Sequence, residues 1–177
     1  MSIALSKNGI IFSKTKPIGV KNYESLVSLV AALVKKAKLS IEDIDCLSVC
    51  VGPGSFTGIR IGVSTVKALA YAIPVPVVGY KSLDLDAWMV NDSFPGLLCV
   101  MRDARRNNVY AAVYRMDACM RKVGHYFLCT FAELAMKIED IHRSWHRGTR
   151  TRNPTLYFYG DAVVAHQHEI QSRFPHS

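Results

Sequence analysis

The segment Gly52-Pro53-Gly54-Ser55-Phe56-Thr57-Gly58-Ile59-Arg60-Ile61-Gly62 limits the folds open to this chain more than any other stretch. It follows a short apolar run, Cys46 to Val51, and opens a longer apolar stretch that Pro74 and Pro76 end. A strand, a glycine turn and a helix of about 57–73 are the natural reading. Ser55 or Thr57 is placed to cap the helix start. Free N–H groups and the positive end of the helix dipole would make an anion site there. The loop is not a P-loop, because five residues separate Gly52 from Gly58 and Ile59 follows where Lys is required. Nor is it a dinucleotide fingerprint: the spacing is GxGxxxG, one residue too long. Gly54, Gly58 and Gly62 recur every four residues. Interior helix glycines cost roughly 1 kcal/mol each against alanine, so a close-packed neighbour or a partner is the expected compensation. Arg60 lies in the first turn, on the unfavourable side of the dipole, where a carboxylate or phosphate would suit it.

Around this motif strands and helices alternate. Ile3–Leu5 and Ile10–Phe12 flank Asn8-Gly9, a hairpin signal. A helix over 23–37 is apolar nearly all round, with Leu26, Val27, Leu29, Val30, Leu33 and Val34, which predicts cover on more than one side. Strands follow at 46–51 and 75–80, and a helix at 82–90. Asn91 to Gly96 reads as a linker. Beyond it come strands at 97–101, 108–114 and 123–129, a helix at 131–141, a strand at 156–159 and a helix at 162–174. The order predicts an α/β protein with a largely central sheet and two lobes, residues 1–92 and 93–177.

Half of the 177 residues are hydrophobic and 20% are charged, a globular balance. No run approaches the ~18 apolar residues of a membrane span. Residues 1–16 lack the basic and apolar regions of a secretory signal. The net charge of +8 favours an acidic partner or a basic solvated surface. The five cysteines form no CxxC pair and read as reduced, packed side chains. His142 and His146 have metal-compatible spacing without a third ligand in step, so no metal site is expected. A Ser55, His and Asp103 triad can be drawn only on paper, because no GxSxG elbow is present. Arg143, Arg147, Arg150 and Arg152 form the densest basic stretch, read either as a tRNA contact or as a solvated loop. Asp103 and Arg105 at a strand end are either a polar site or an internal cap.

Gly52 to Gly62 resembles the GPGSFTG[LIV]RIG signature of the TsaB (YeaZ-type) family, related to TsaD within the actin/Hsp70-like superfamily. Ser40 to Asp45, Val78 to Leu83, Asp103 to Tyr110 and Gly160-Asp161-Ala162 resemble further family segments, in order over about residues 1–165. The signature loop comprises Gly52, Pro53, Gly54, Ser55, Phe56, Thr57 and Gly58.

The resemblance implies an actin-like (ribonuclease H-like) fold of mixed sheets with flanking helices in two similar lobes, shortened at both ends. It implies that a strand ending in Asp-Thr-Ser, central to the first sheet in the family, is missing here. It implies a cytoplasmic, non-catalytic scaffold that pairs with a TsaD-like enzyme and a TsaE-like ATPase to place threonylcarbamoyl on a tRNA adenosine. No cofactor of its own is implied; ATP or ADP and metal belong to the partner subunits. The partner surface would be the first two long helices, through Leu26, Leu29, Val30, Leu33, Gly58, Arg60, Gly62 and Val66, in the enzyme pair or in a homodimer. The alternative is a nucleotide-binding phosphotransferase or glycoprotease-like hydrolase of the same superfamily. The TsaD-type metal-binding histidines are not matched at Lys21 to Ser25.

Overall fold

The computed structural model describes residues 1–15, 26–90, 95–117, 119–145 and 155–175. They form two compact units, Met1–Tyr80 and Lys81–Ser177.

In the first unit, β1 (Ser2–Lys7) and β2 (Ile10–Thr15) pair antiparallel, with Lys7 opposite Ile10. Asn8 and Gly9 take φ values of 50° and 79°, as a two-residue turn between twisted strands requires. Helix α1 (Leu26–Lys36) lies on this hairpin. It buries Leu26, Leu29, Leu33 and Val34, an i, i+3, i+7, i+8 stripe. Left-handed Lys38 ends it, and the Leu39 N–H donates to the Val34 carbonyl at 3.1 Å. Among the described residues, the expected cover on several sides is not found. Val27, Ala31 and Ala32 are exposed, because the hairpin reaches only one face and small alanines lose little in water.

Strand β3 (Leu47–Cys50), helix α2 (Phe56–Ala72) and strand β4 (Val77–Tyr80) form a parallel crossover, Leu47 opposite Val77 and Cys50 opposite Tyr80. A common central sheet was expected, but β1–β2 and β3–β4 are separate two-stranded sheets, and no described strand bridges them.

The second unit opens with α3 (Ser82–Met89), followed by β5 (Gly96–Arg105), β6 (Asn108–Met116), β7 (Arg121–Thr130), α4 (Phe131–Trp145), β8 (Thr155–Tyr159), α5 (Ala162–Ala165) and α6 (Gln167–Arg173). The sheet order is β7-β6-β5-β8, with β8 parallel to β5. Leu97 to Met101 is continuously apolar because both faces of β5 are covered. Leu97, Cys99 and Met101 pack with Leu134, Ile138 and Ile170, while Leu98 and Val100 pack with Leu83 and Ala87 of α3. Thr130 and Glu133 cap α4 reciprocally: the Glu133 carboxylate accepts the Thr130 N–H at 3.0 Å, and the Thr130 hydroxyl accepts the Glu133 N–H at 3.4 Å. The single final helix expected over 162–174 is two short ones. His166 interrupts it with φ −109° and ψ 14°, stacking on Phe131 at 5.0 Å and placing Nδ1 2.8 Å from Glu169.

Polar contacts hold α3 to the sheet. The Tyr114 and Tyr126 hydroxyls donate to the two oxygens of Asp84, each at 2.7 Å. The Arg102 guanidinium donates to both oxygens of Asp86, from Nη2 at 2.6 Å. Of the five cysteines, all free, Cys99 and Cys129 are packed as expected, whereas Cys46 and Cys119 are exposed.

Burial and the bond to Asp84 raise both phenols, Tyr126 to about 12. An unfolded tyrosine ionises near pH 10. A folded pKa above the unfolded one stabilises below the lower value, and that contribution is lost as pH rises through the higher one. Stability should therefore fall between about pH 10 and 12, and Tyr126→Phe should flatten that fall in alkaline urea titrations. Asp84→Ala leaves the buried Tyr114 hydroxyl unpaired and should cost about 1–3 kcal/mol at neutral pH.

Candidate docking surface and the β5–β6 turn

The signature loop does two local jobs. Gly52 takes φ +91°, and a Cβ there would lie 2.8 Å from Ile59 Cδ1, so the turn under the helix admits no ordinary side chain. The Gly52–Pro53 peptide is cis. Ser55, rather than Thr57, caps α2: its hydroxyl accepts the Gly58 N–H at 3.3 Å. One of the N–H groups that could have met an anion is thus already satisfied.

Helix α2 has no buried residue along its 17 positions. Its inner side rests on β3, and that two-stranded sheet is too narrow to enclose it. Ile59, Ile61, Val63, Val66 and Leu69 are all only half-buried. On the outer side Phe56 is 73% exposed and Tyr71 95% exposed, with Arg60, Ser64 and Lys67 between them on one helical face. The Arg60 guanidinium sits over the Phe56 ring at 5.3 Å.

The spaced glycines are not explained by tight packing inside the chain. A Cβ on Gly62 would meet Val49 Cγ2 at 3.6 Å, and one on Gly58 would meet Ser55 Oγ at 3.5 Å, both ordinary contacts. Their helix cost has no intramolecular return among the described residues.

The expected partner residues fall into two groups. Leu26, Leu29 and Leu33 are spent on the hairpin, and Val30 is half-buried. Gly58, Gly62 and Val66 are half-buried on α2, and Arg60 is exposed. Sequence reasoning missed Tyr71 and the exposed α3 residues Leu85, Trp88 and Met89. Their i, i+3, i+4 spacing on α3 was the available signal.

Asp103 is an internal cap. Its carboxylate accepts the Arg105 N–H at 2.7 Å, and its own N–H donates to Asp161 at 2.9 Å. The Arg105 side chain does not join it. Gly160 closes this corner at φ +120°, where a Cβ would stand 1.9 Å from the Met101 carbonyl oxygen. Arg143 pairs with Asp140 at 3.0 Å; Arg147, Arg150 and Arg152, like His146, lie outside the described residues. Among the described residues no group of three His, Cys, Asp or Glu side chains is arranged to hold a metal.

A strand–glycine turn–helix unit of this form, followed by a four-stranded mixed sheet with helices on both faces, is also found in known proteins. Residues 21–176 match the model of the family described as TsaD, tRNA N6-adenosine threonylcarbamoyltransferase, and the chain belongs to that family. It is 31% identical over 116 residues to the tRNA threonylcarbamoyladenosine biosynthesis protein TsaB of Bacillus subtilis, covering 65% of this chain and 50% of that one. With TsaB of Escherichia coli it shares 30% identity over 119 residues, 66% and 51% of the two chains. YeaZ from Pseudomonas aeruginosa superposes with a TM-score of 0.64 at 28% identity, over 72% of this chain and 61% of that one. The fold is thus the actin-like α/β fold of YeaZ, and the TsaB/YeaZ resemblance read from the signature loop holds. The chain spans about half the length of the curated relatives it matches.

Since no internal contact requires Gly62, Gly62→Ala should stabilise the isolated chain by about 0.5–1 kcal/mol in urea unfolding. Gly160→Ala, in contrast, should destabilise it by several kcal/mol, because both its φ and its space are forbidden to alanine.

Proposed function

We propose that this chain is a non-catalytic partner of a TsaD-like enzyme in tRNA threonylcarbamoyladenosine modification, and that the outer face of α2 is where the enzyme docks. One observation carries the reading: a 17-residue helix with no buried residue, whose outer face exposes Phe56 and Tyr71 on either side of Arg60, Ser64 and Lys67. Two exposed aromatic rings flanking a cation on one helical face suit a helix-on-helix contact with a second protein. The similarity to the TsaB proteins of B. subtilis and E. coli supports the pathway. On this reading the enzyme and a TsaE-like ATPase hold the nucleotide and metal, tRNA meets the assembly, a homodimer through the same face competes with the enzyme, and the assembly is cytoplasmic. No described helix is long and apolar enough to cross a membrane.

Phe56→Ser and Tyr71→Ser test the docking face. Both side chains are exposed, so each change should alter stability by no more than about 0.5 kcal/mol. Binding to a TsaD-like protein, followed by calorimetry, should weaken about tenfold or more for the pair. Equal affinity in parent and variant would place the contact elsewhere. The non-catalytic half of the reading predicts no ATP hydrolysis by the purified chain with magnesium, and steady turnover would contradict it.

A further inference from the structure

Among the described residues, two hairpin turns adopt positive φ and are built from different residues. At the first, Asn8 and Gly9 take positive φ, the composition such turns favour. At the second, between β5 and β6, three consecutive non-glycine residues are left-handed: Arg105 at φ 63°, Arg106 at 50° and Asn107 at 60°. Arginine has no side-chain device for this region, unlike asparagine, and glycine would adopt it freely. The turn itself gains nothing from arginine at these positions.

The base of the turn is rigid. Asp103 accepts the Arg105 N–H, Asp161 accepts the Asp103 N–H, and the Asn108 side-chain amide donates to the Arg106 carbonyl at 3.2 Å. Both nearby carboxylates are thus engaged by backbone donors. Arg105 and Arg106 are exposed, and neither guanidinium has an ion-pair, hydrogen-bond or ring partner among the described residues. Two exposed guanidinium groups, successive in sequence at the tip, match phosphate oxygens in charge and in hydrogen-bonding capacity.

We propose that the Arg105–Arg106 tip is a phosphodiester-binding element that contacts RNA directly. This deepens the proposed function, on which it rests for the choice of RNA over other phosphate carriers. The tip belongs to the second unit and the α2 face to the first, so variants of each test the two readings separately.

The test is fluorescence anisotropy of a labelled, unmodified tRNA transcript over a salt series, with the whole chain. The double variant Arg105→Gly, Arg106→Gly should reduce the slope of log affinity against log salt by about 1 per arginine and weaken binding at least tenfold. Its melting temperature should rise by about 2–4 °C, since glycine relieves the turn. Arg105→Lys with Arg106→Lys should keep the slope while losing part of the affinity. The proposal is overturned if the parent does not bind the transcript, if the glycine variant keeps slope and affinity, or if it melts lower than the parent. Pull-down with a TsaD-like protein separates the two readings. Partner binding without tRNA binding sinks the tip alone. Tip-dependent tRNA binding without partner binding sinks the scaffold reading and leaves the tip standing as an RNA contact.

Discussion

Two parallel strands cannot enclose a 17-residue helix, and that mismatch governs the first unit. A parallel pair is normally covered on both faces and flanked by further strands. Here β3 supports the inner side of α2, all four residues of β4 are exposed, and among the described residues no further strand joins the pair. At about 25 cal/mol per Å², apolar flanks left half-covered forgo burial that a second molecule can supply. The glycine spacing and the ring-stacked Arg60 follow the same logic, since each is unfavourable or idle in the isolated chain.

The second unit is built differently. Its inner strands β5 and β6 are buried on both faces, and its helix α3 is held by four oxygens of two aspartates as well as by Leu83 and Ala87. Its core lies directly beneath the β5–β6 turn. The corner at Asp103, Asp161 and Gly160 links the strand end to the start of α5, so the tip inherits the rigidity of the core rather than of a loop.

Much of this was legible in the residues. Period-two and period-3.6 patterns located the described strands and most of the α-helices to within a few positions, because burial dictates those periods, but foresaw neither the short 3-10 helix at Ile41–Asp43 nor the division of the last helix. The signature loop was legible because Gly52 and Ser55 have backbone tasks few other residues perform. What the patterns could not reveal was which neighbour satisfies which face. Leu26, Leu29 and Leu33 looked like docking residues, yet a hairpin distant in sequence covers them. Gly58 and Gly62 implied close packing, yet the nearest contacts are ordinary. The break at His166 depended on Phe131, thirty-five residues away, offering its ring. Arg105 read with Asp103 as a polar site or an internal cap, and the left-handed backbone at Arg105 and Arg106 stayed hidden, because arginine itself does not encode it.

Amide hydrogen exchange across α2, with and without a TsaD-like protein, reaches the central claim most directly. Amides of residues 60–72 should exchange rapidly in the isolated chain, where nothing buries the helix, and slow by at least tenfold when the enzyme is added. Unchanged exchange on α2 alongside new protection elsewhere would contradict the account.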